Sequence, residues 1–83
     1  MEQNYPNPVK GVTTVKFSLI ENNLTELSLY SITGQKVKVL INEKMNAGSY
    51  TLYEDLSAIP AGVYYLKLSS GNNSQIRSLT VSH

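Results

Sequence analysis

Short runs in which apolar and polar residues alternate dominate this chain, and a period of two is typical of strands with one buried face. The clearest run covers residues 64–68, where Tyr64, Leu66 and Leu68 alternate with Tyr65 and Lys67. Because a lysine is costly to bury, Lys67 marks the outer face and the other set marks the core. No run shows a convincing helical period, so the pattern predicts an all-β protein.

Gly, Pro and Asn residues separate the runs, as expected of turns between strands. The predicted strands cover residues 14–20, 25–32, 36–41, 49–55, 64–68 and 74–81, with a short extended piece at residues 5–8. About seven short, mainly antiparallel strands at regular turn spacing predict an immunoglobulin-like β-sandwich.

The alternation also assigns faces. It places Val15, Phe17 and Leu19 of the first strand, and Leu27 and Leu29 of the second, toward the core. In the third strand it predicts that Val37, Val39 and Ile41 face inward and that Lys36 and Lys38 face outward.

Three turn segments complete the assignment. Gly34 fits a turn position with positive φ, where a side chain would clash. Residues 42–44 are interpreted as a turn, and residues 71–73 as the tip of a hairpin.

Length and charge exclude several classes of protein. With 83 residues the chain has room for one domain with a single core. Its net charge of +1 is too small to hold a nucleic-acid backbone. No apolar run approaches the roughly 20 residues of a membrane-spanning helix, so we expect no membrane insertion. The opening Met1-Glu2-Gln3-Asn4 lacks the features of a signal peptide, and we expect residues 1–83 to be a single domain excised from a larger protein.

Residues for catalysis or metal binding do not form a recognisable constellation. The only histidine, His83, is the last residue, and the sequence has no cysteine. Glu54 and Asp55 are adjacent, so on a strand they point to opposite faces and cannot act as a pair. Asp55 is the only aspartate, which disfavours a calcium loop. The sequence therefore predicts no enzyme, no metal site and no cofactor.

Tyrosines supply an alternative function. Tyr30, Tyr53 and Tyr65 fall on the outer faces of predicted strands, and an exposed ring can stack on a sugar. A carbohydrate-binding or adhesive β-sandwich is the second hypothesis. Coverage of a sheet surface by aromatic residues explains the same pattern.

Three sequence blocks, read in order, resemble a known family. They are Asn-Tyr-Pro-Asn-Pro at residues 4–8, Leu-Tyr-Ser-Ile-Thr-Gly-Gln-Lys-Val at 29–37 and Ile-Pro-Ala-Gly-Val-Tyr-Tyr-Leu at 59–66. Together they resemble the type A C-terminal sorting domain of type IX secretion cargo, almost from end to end. The positions that carry the family motif, in a structural or a recognition role, are Tyr5, Pro6, Asn7, Pro8, Gly34, Gly48, Pro60, Gly62 and Tyr64.

The resemblance implies a domain that other proteins handle. Such domains are C-terminal to a cargo region, pass through the periplasm, and are recognised by an outer-membrane translocon that delivers the cargo to the cell surface or the medium. A sortase-like peptidase then removes the domain, and we expect its cut upstream of residue 1. For contact with the translocon we expect exposed positions on the last strand and its neighbour: Lys67, Arg77, Leu79 and Val81.

Overall fold

A computed structural model describes residues 11–82 and places strands, turns and no helix among them. The strands are β1 (Val12–Leu19), β2 (Asn23–Ser31), β3 (Lys36–Met45), β4 (Gly48–Asp55), β5 (Gly62–Ser70) and β6 (Asn73–Val81). The all-β prediction is confirmed. The extended piece predicted at residues 5–8 lies outside the described residues.

The strands form two sheets. β1 and β4 make the small sheet, and the large sheet has the order β3-β2-β5-β6. Every neighbouring pair is antiparallel. One apolar cluster draws side chains from both sheets, so the two layers pack face to face as a small β-sandwich.

The core lies where the alternation predicted it for most strands. Its buried side chains are Val15, Phe17, Leu19, Leu27, Leu29, Leu56, Tyr64, Leu66, Leu68, Leu79 and Val81. Full burial of one such side chain contributes about 1.5–3 kcal/mol, so this cluster is the main source of stability. From β4, Tyr50 packs against the cluster, with its ring stacked on Phe17 at a centroid distance of 5.4 Å.

The predicted facing of β3 is wrong for Val37, Val39 and Lys38, whereas Ile41 packs against the core as predicted. Val37 and Val39, expected in the core, are 40% and 46% exposed, whereas Leu40 and Ile41 pack against the core. The register with β2 shifts twice, so that Ile41 lies opposite Leu27, whereas Val39 is opposite Ser28. Each extra residue in a strand reverses the faces of the residues that follow it.

The same shifts carry Lys38 to the inner side of the large sheet. Lys38 lies opposite Leu29, which faces the core. Its ammonium group crosses the gap between the sheets and pairs with Glu54 of β4 at 2.5 Å. Lys38 therefore joins the two sheets at their edge and does not mark an outer face.

β3 is also longer than predicted. Residues 42–44, expected as a turn, continue the strand and pair with the first half of β2. The chain turns instead after Met45, where the backbone N–H of Ala47 donates to the Asn22 side chain at 2.7 Å. Pairing along the whole of β2 thus overrides the local turn preference of Asn42.

The described chain starts and finishes at one end of the sandwich. Val12 of β1 lies opposite Asp55, the last residue of β4, and Val81 of β6 lies opposite Gly62, the first residue of β5. Only a short connection separates Asp55 from Gly62, so these pairs lie close together. We call this region the shared end.

Candidate recognition surface

The outer face of the large sheet carries a cluster of exposed apolar side chains. Tyr30 and Tyr65 are directly opposite each other across β2 and β5, and Lys67 is opposite Ile76 across β5 and β6. Together with Ile32 these residues line one shallow depression. We call Tyr30, Ile32, Tyr65, Lys67 and Ile76 the platform. Ile32, at 68%, and Ile76, at 55%, are its most exposed apolar members.

A tight turn between β2 and β3 forms the rim of the platform. Gly34 has a φ of +91° there, which confirms the predicted positive φ. Its N–H donates to the Ser31 carbonyl at 2.9 Å, and the Ser31 N–H donates to the Gln35 carbonyl at 2.8 Å. The turn is thus fixed by its own backbone, and Gly34 adds no side chain to the depression.

An ion pair flanks the platform. Lys36 lies 2.7 Å from Glu26, and the Ser28 hydroxyl donates to the same carboxylate at 2.6 Å. The hydrogen bond from Lys36, followed by that from Ser28, holds the pKa of Glu26 below its ordinary value. The bond to Glu26 raises the pKa of Lys36, whose ammonium also lies 5.9 Å from the centre of the Tyr30 ring. Glu26 therefore already has its partners.

Lys67 has no such partner in the part of the chain that the structure describes. No carboxylate forms an ion pair with it anywhere in residues 11–82, where the ion pairs are those of Lys36 and Lys38. Its charge acts on Glu26 only at a distance. The platform thus combines exposed apolar groups with one cation that forms no ion pair in the described residues.

The burial of side chains in the last strand contradicts part of the expected set of translocon contacts. Leu79 and Val81 were expected to be exposed, but they are 0% and 2% exposed and belong to the core. They lie opposite Tyr64 and Gly62, respectively. Alternation along β6 places them on the same inner face as Arg77. Within the described residues, β6 is an edge strand of the large sheet.

Lys67 and Arg77 do not share a face. Lys67 follows the outward alternation of Tyr65, whereas Arg77 lies opposite Leu66, which faces the core. Both are partly buried, and the Arg77 guanidinium donates to the Ile76 carbonyl at 3.0 Å. Of the residues expected to contact the translocon, Lys67 therefore lies on the platform and Arg77 lies on the edge strand β6.

The motif residues near the shared end have structural contacts. The Tyr64 hydroxyl donates to the Pro60 carbonyl at 2.6 Å and fastens the connection between β4 and β5. Gly62 begins β5 at the shared end, whereas Gly48 begins β4 at the opposite end of the small sheet, across from Leu19. Tyr5, Pro6, Asn7 and Pro8 lie outside the described residues.

The three tyrosines proposed for sugar binding are not together. Tyr30 and Tyr65 are neighbours, but Tyr53 lies on the outer face of the small sheet, opposite Thr14. Lys36 lies over the Tyr30 ring, and Tyr65 is only 38% exposed. The arrangement therefore lacks a row of open aromatic rings on which a sugar chain would stack.

The acidic residues considered for catalysis are engaged in the fold. Glu54 pairs with Lys38, and Asp55 accepts a hydrogen bond from the Ser57 N–H at 2.9 Å, which lowers the pKa of Asp55. Across residues 11–82, no three His, Cys, Asp or Glu side chains are grouped to hold a metal ion. Nor does this part of the chain contain a helix long and apolar enough to cross a membrane.

Sequence reasoning missed two members of the platform. Ile76 was not predicted as a surface site because its neighbours in β6 are polar. Alternation places Ile76 on the opposite face of β6 from Leu79 and Val81, and this position indicates an exposed apolar side chain. Ile32 has the same outward phase as Tyr30 in the predicted strand over residues 25–32, but it was not identified as a surface site; in the structure it follows the last residue of β2.

Fold and surface together define a small antiparallel β-sandwich module with one apolar outer face. The sequence matches the secretion system C-terminal sorting domain over residues 3–82, and the chain belongs to this family. No curated protein matches the chain. The family is that of C-terminal sorting signals for type IX secretion, which are in general non-catalytic. Membership implies a cargo protein, the type IX machinery, and export to the cell surface or the extracellular space.

Proposed function

We propose that residues 1–83 form one C-terminal domain of a larger cargo protein, and that the outer-membrane translocon recognises this domain in its folded form after transit through the periplasm. The observation that carries the proposal is the family match over nearly the whole chain, joined to a complete sandwich core in the described residues. A folded body presents side chains from different strands as one surface, which an unfolded signal cannot do.

Two contact regions support recognition of the folded form. Lys67 lies on the platform, and Arg77 lies on β6, the edge strand of the described large sheet. An edge strand can be bound by addition of a strand from a partner. Leu79 and Val81 act from within the core, where they hold β6 in place.

We further propose that a sortase-like peptidase removes the domain upstream of residue 1. The removal leaves the sandwich intact, because the cut lies outside its strands. Mass spectrometry of an exported fusion tests this step. Exported reporter that still carries residues 1–83 would contradict it.

The main experiment fuses residues 1–83 to a periplasmic reporter in a host with the type IX pathway. We expect the reporter at the cell surface or in the medium, and inside the cell in a host that lacks the pathway. The matched control is the same fusion with Leu79→Asp, which places a charge in the core and prevents folding. Retention of the unmutated fusion, or equal export of the Leu79→Asp fusion, would contradict recognition of a folded domain.

A further inference from the structure

The platform is an exposed apolar surface that formation of the core does not explain. Ile32 and Ile76, both branched aliphatic residues, are more than half exposed, and they line the same depression as Tyr30 and Tyr65. Single exposed apolar residues are ordinary on protein surfaces, but contiguous groups of them mark interaction sites. The composition, two tyrosines and two isoleucines around one cation, resembles the centre of a protein–protein interface.

The charge of the platform limits what can cover it. Lys67 is the one platform residue with a charge, and no carboxylate in the described chain pairs with it. A cation that becomes buried in an interface needs an opposite charge from the partner. The partner must therefore bring a carboxylate to Lys67.

We infer that the platform docks onto a protein surface of the type IX machinery that is apolar at its centre and carries an aspartate or glutamate opposite Lys67. The inference rests on the proposed function and adds the chemistry of the partner. Binding removes Ile32, Ile76 and the open side of Tyr65 from water, and the new ion pair fixes the orientation.

Three other occupants fit the platform less well. A second copy of this chain, docked through the same face, would bring two Lys67 ammonium groups into one interface, and the flanking Glu26 of each copy is already paired with Lys36. A glycan would meet branched side chains and a Tyr30 ring over which Lys36 already lies. A lipid surface would gain about 1 kcal/mol from a single unpaired lysine, which is too little for stable attachment.

The first test compares platform variants with a variant of the opposite face in the export assay. The platform variants are Lys67→Glu, Lys67→Gln and the double variant Ile32→Ser with Ile76→Ser. Lys16→Glu is the matched control, since Lys16 is an exposed lysine on the small sheet without an ion pair in residues 11–82. We expect the export rate to fall at least about tenfold for Lys67→Glu and the double variant, less for Lys67→Gln, and to stay unchanged for Lys16→Glu.

The results separate the two proposals. If the unmutated fusion stays inside the cell, the proposed function fails, and this inference fails with it. If the unmutated fusion and all platform variants are exported equally, only the platform docking is wrong. Thermal unfolding of each purified variant confirms that it remains folded, as expected for exposed positions.

The second test identifies the partner chemistry. A photo-crosslinking amino acid replaces Ile76 in the exported fusion, and the crosslinked surface is mapped. Each carboxylate on that surface is then changed to lysine in the strain that expresses Lys67→Glu. We expect one such change to restore export of Lys67→Glu and to impair the unmutated fusion. Crosslinking to a second copy, to lipid or to glycan, or the absence of any restoring change, would overturn the inference.

Discussion

The outer faces of the two sheets differ in chemistry although both cover the same core. The small sheet presents hydroxyl groups, such as Thr14, Ser18 and Thr51, and the Ser18 and Ser49 hydroxyls are hydrogen-bonded at 3.3 Å. Its exposed large apolar side chains, Val12 and Tyr53, are confined to one end of the sheet. The large sheet presents the platform, with its isoleucines and tyrosines around Lys67. Each sheet needs only one apolar face to form the core. The apolar residues on the outer face of the large sheet therefore have a role other than core packing.

Removal of a core side chain should have the largest effect on the free energy of unfolding, and it provides the reference for substitutions in the platform. Leu79→Ala is expected to lower the free energy of unfolding by about 2–5 kcal/mol, because it leaves a cavity between the sheets. Ile76→Ala, on the other face of the same strand, is expected to cost less than about 1 kcal/mol. Urea unfolding of both variants measures the difference. Equal losses would mean that the platform supports the fold, which would remove the contrast between the outer faces.

The connection between the sheets provides the second test. Tyr64→Phe removes the hydrogen bond to the Pro60 carbonyl and is expected to lower the free energy of unfolding by about 0.5–1.5 kcal/mol. Tyr53→Phe is the control, because Tyr53 is 70% exposed on the small sheet. If the two variants were equally stable, the Tyr64 hydroxyl would have no structural role, and a role in recognition would remain for that hydroxyl.

The ion pair across the sheet edge should have a smaller effect. Lys38→Met removes the pair with Glu54, and because both side chains are partly exposed we expect a loss of about 0.2–1 kcal/mol at low salt. Lys16→Met, on the outer face of the small sheet, should change stability less. The loss for Lys38→Met should shrink in high salt, as expected of a screened pair. A loss that does not depend on salt would contradict the electrostatic explanation.

The smallest effect concerns Glu26 beside the platform. The pKa of Glu26 in the folded chain lies below its ordinary value of 4.5. A lowered folded-state pKa stabilises the fold above the ordinary pKa, and this contribution is lost as the pH falls through the folded-state value. Glu26→Gln should therefore weaken the acid dependence of stability below about pH 4.5. An NMR titration of the Glu26 side chain with a midpoint at or above 4.5 would contradict the ion pair.

Much of the fold could be predicted because most strands obey a strict period of two. In β1, β2 and β5 the alternation assigned the core correctly, since a regular pleat turns every second side chain inward. It failed in β3, where Leu40 and Val37 are the extra residues of two register shifts. Such shifts arise from pairing with β2 and leave no mark in the local sequence.

The recognition surface was harder to predict. Cross-strand neighbours such as Lys67 and Ile76 are brought together by register, which the sequence does not state directly. The expected exposure of Leu79 and Val81 was wrong. Both share a face of β6 with Arg77, and because that face mixes apolar and charged residues, alternation alone does not decide whether it points to the core.

The position of β1 has a mechanical consequence. Under the proposed function, cargo that precedes the domain would pull on the start of β1 at the shared end. β1 pairs with β4 along its whole length, from Val12 opposite Asp55 to Leu19 opposite Gly48. Ladder hydrogen bonds run across the strands, so a pull along β1 would strain all of them at once instead of opening them one at a time. If a partner holds the large sheet while the cargo is pulled forward, the force acts on β1 in shear. Shear is the direction in which a pair of strands resists force best.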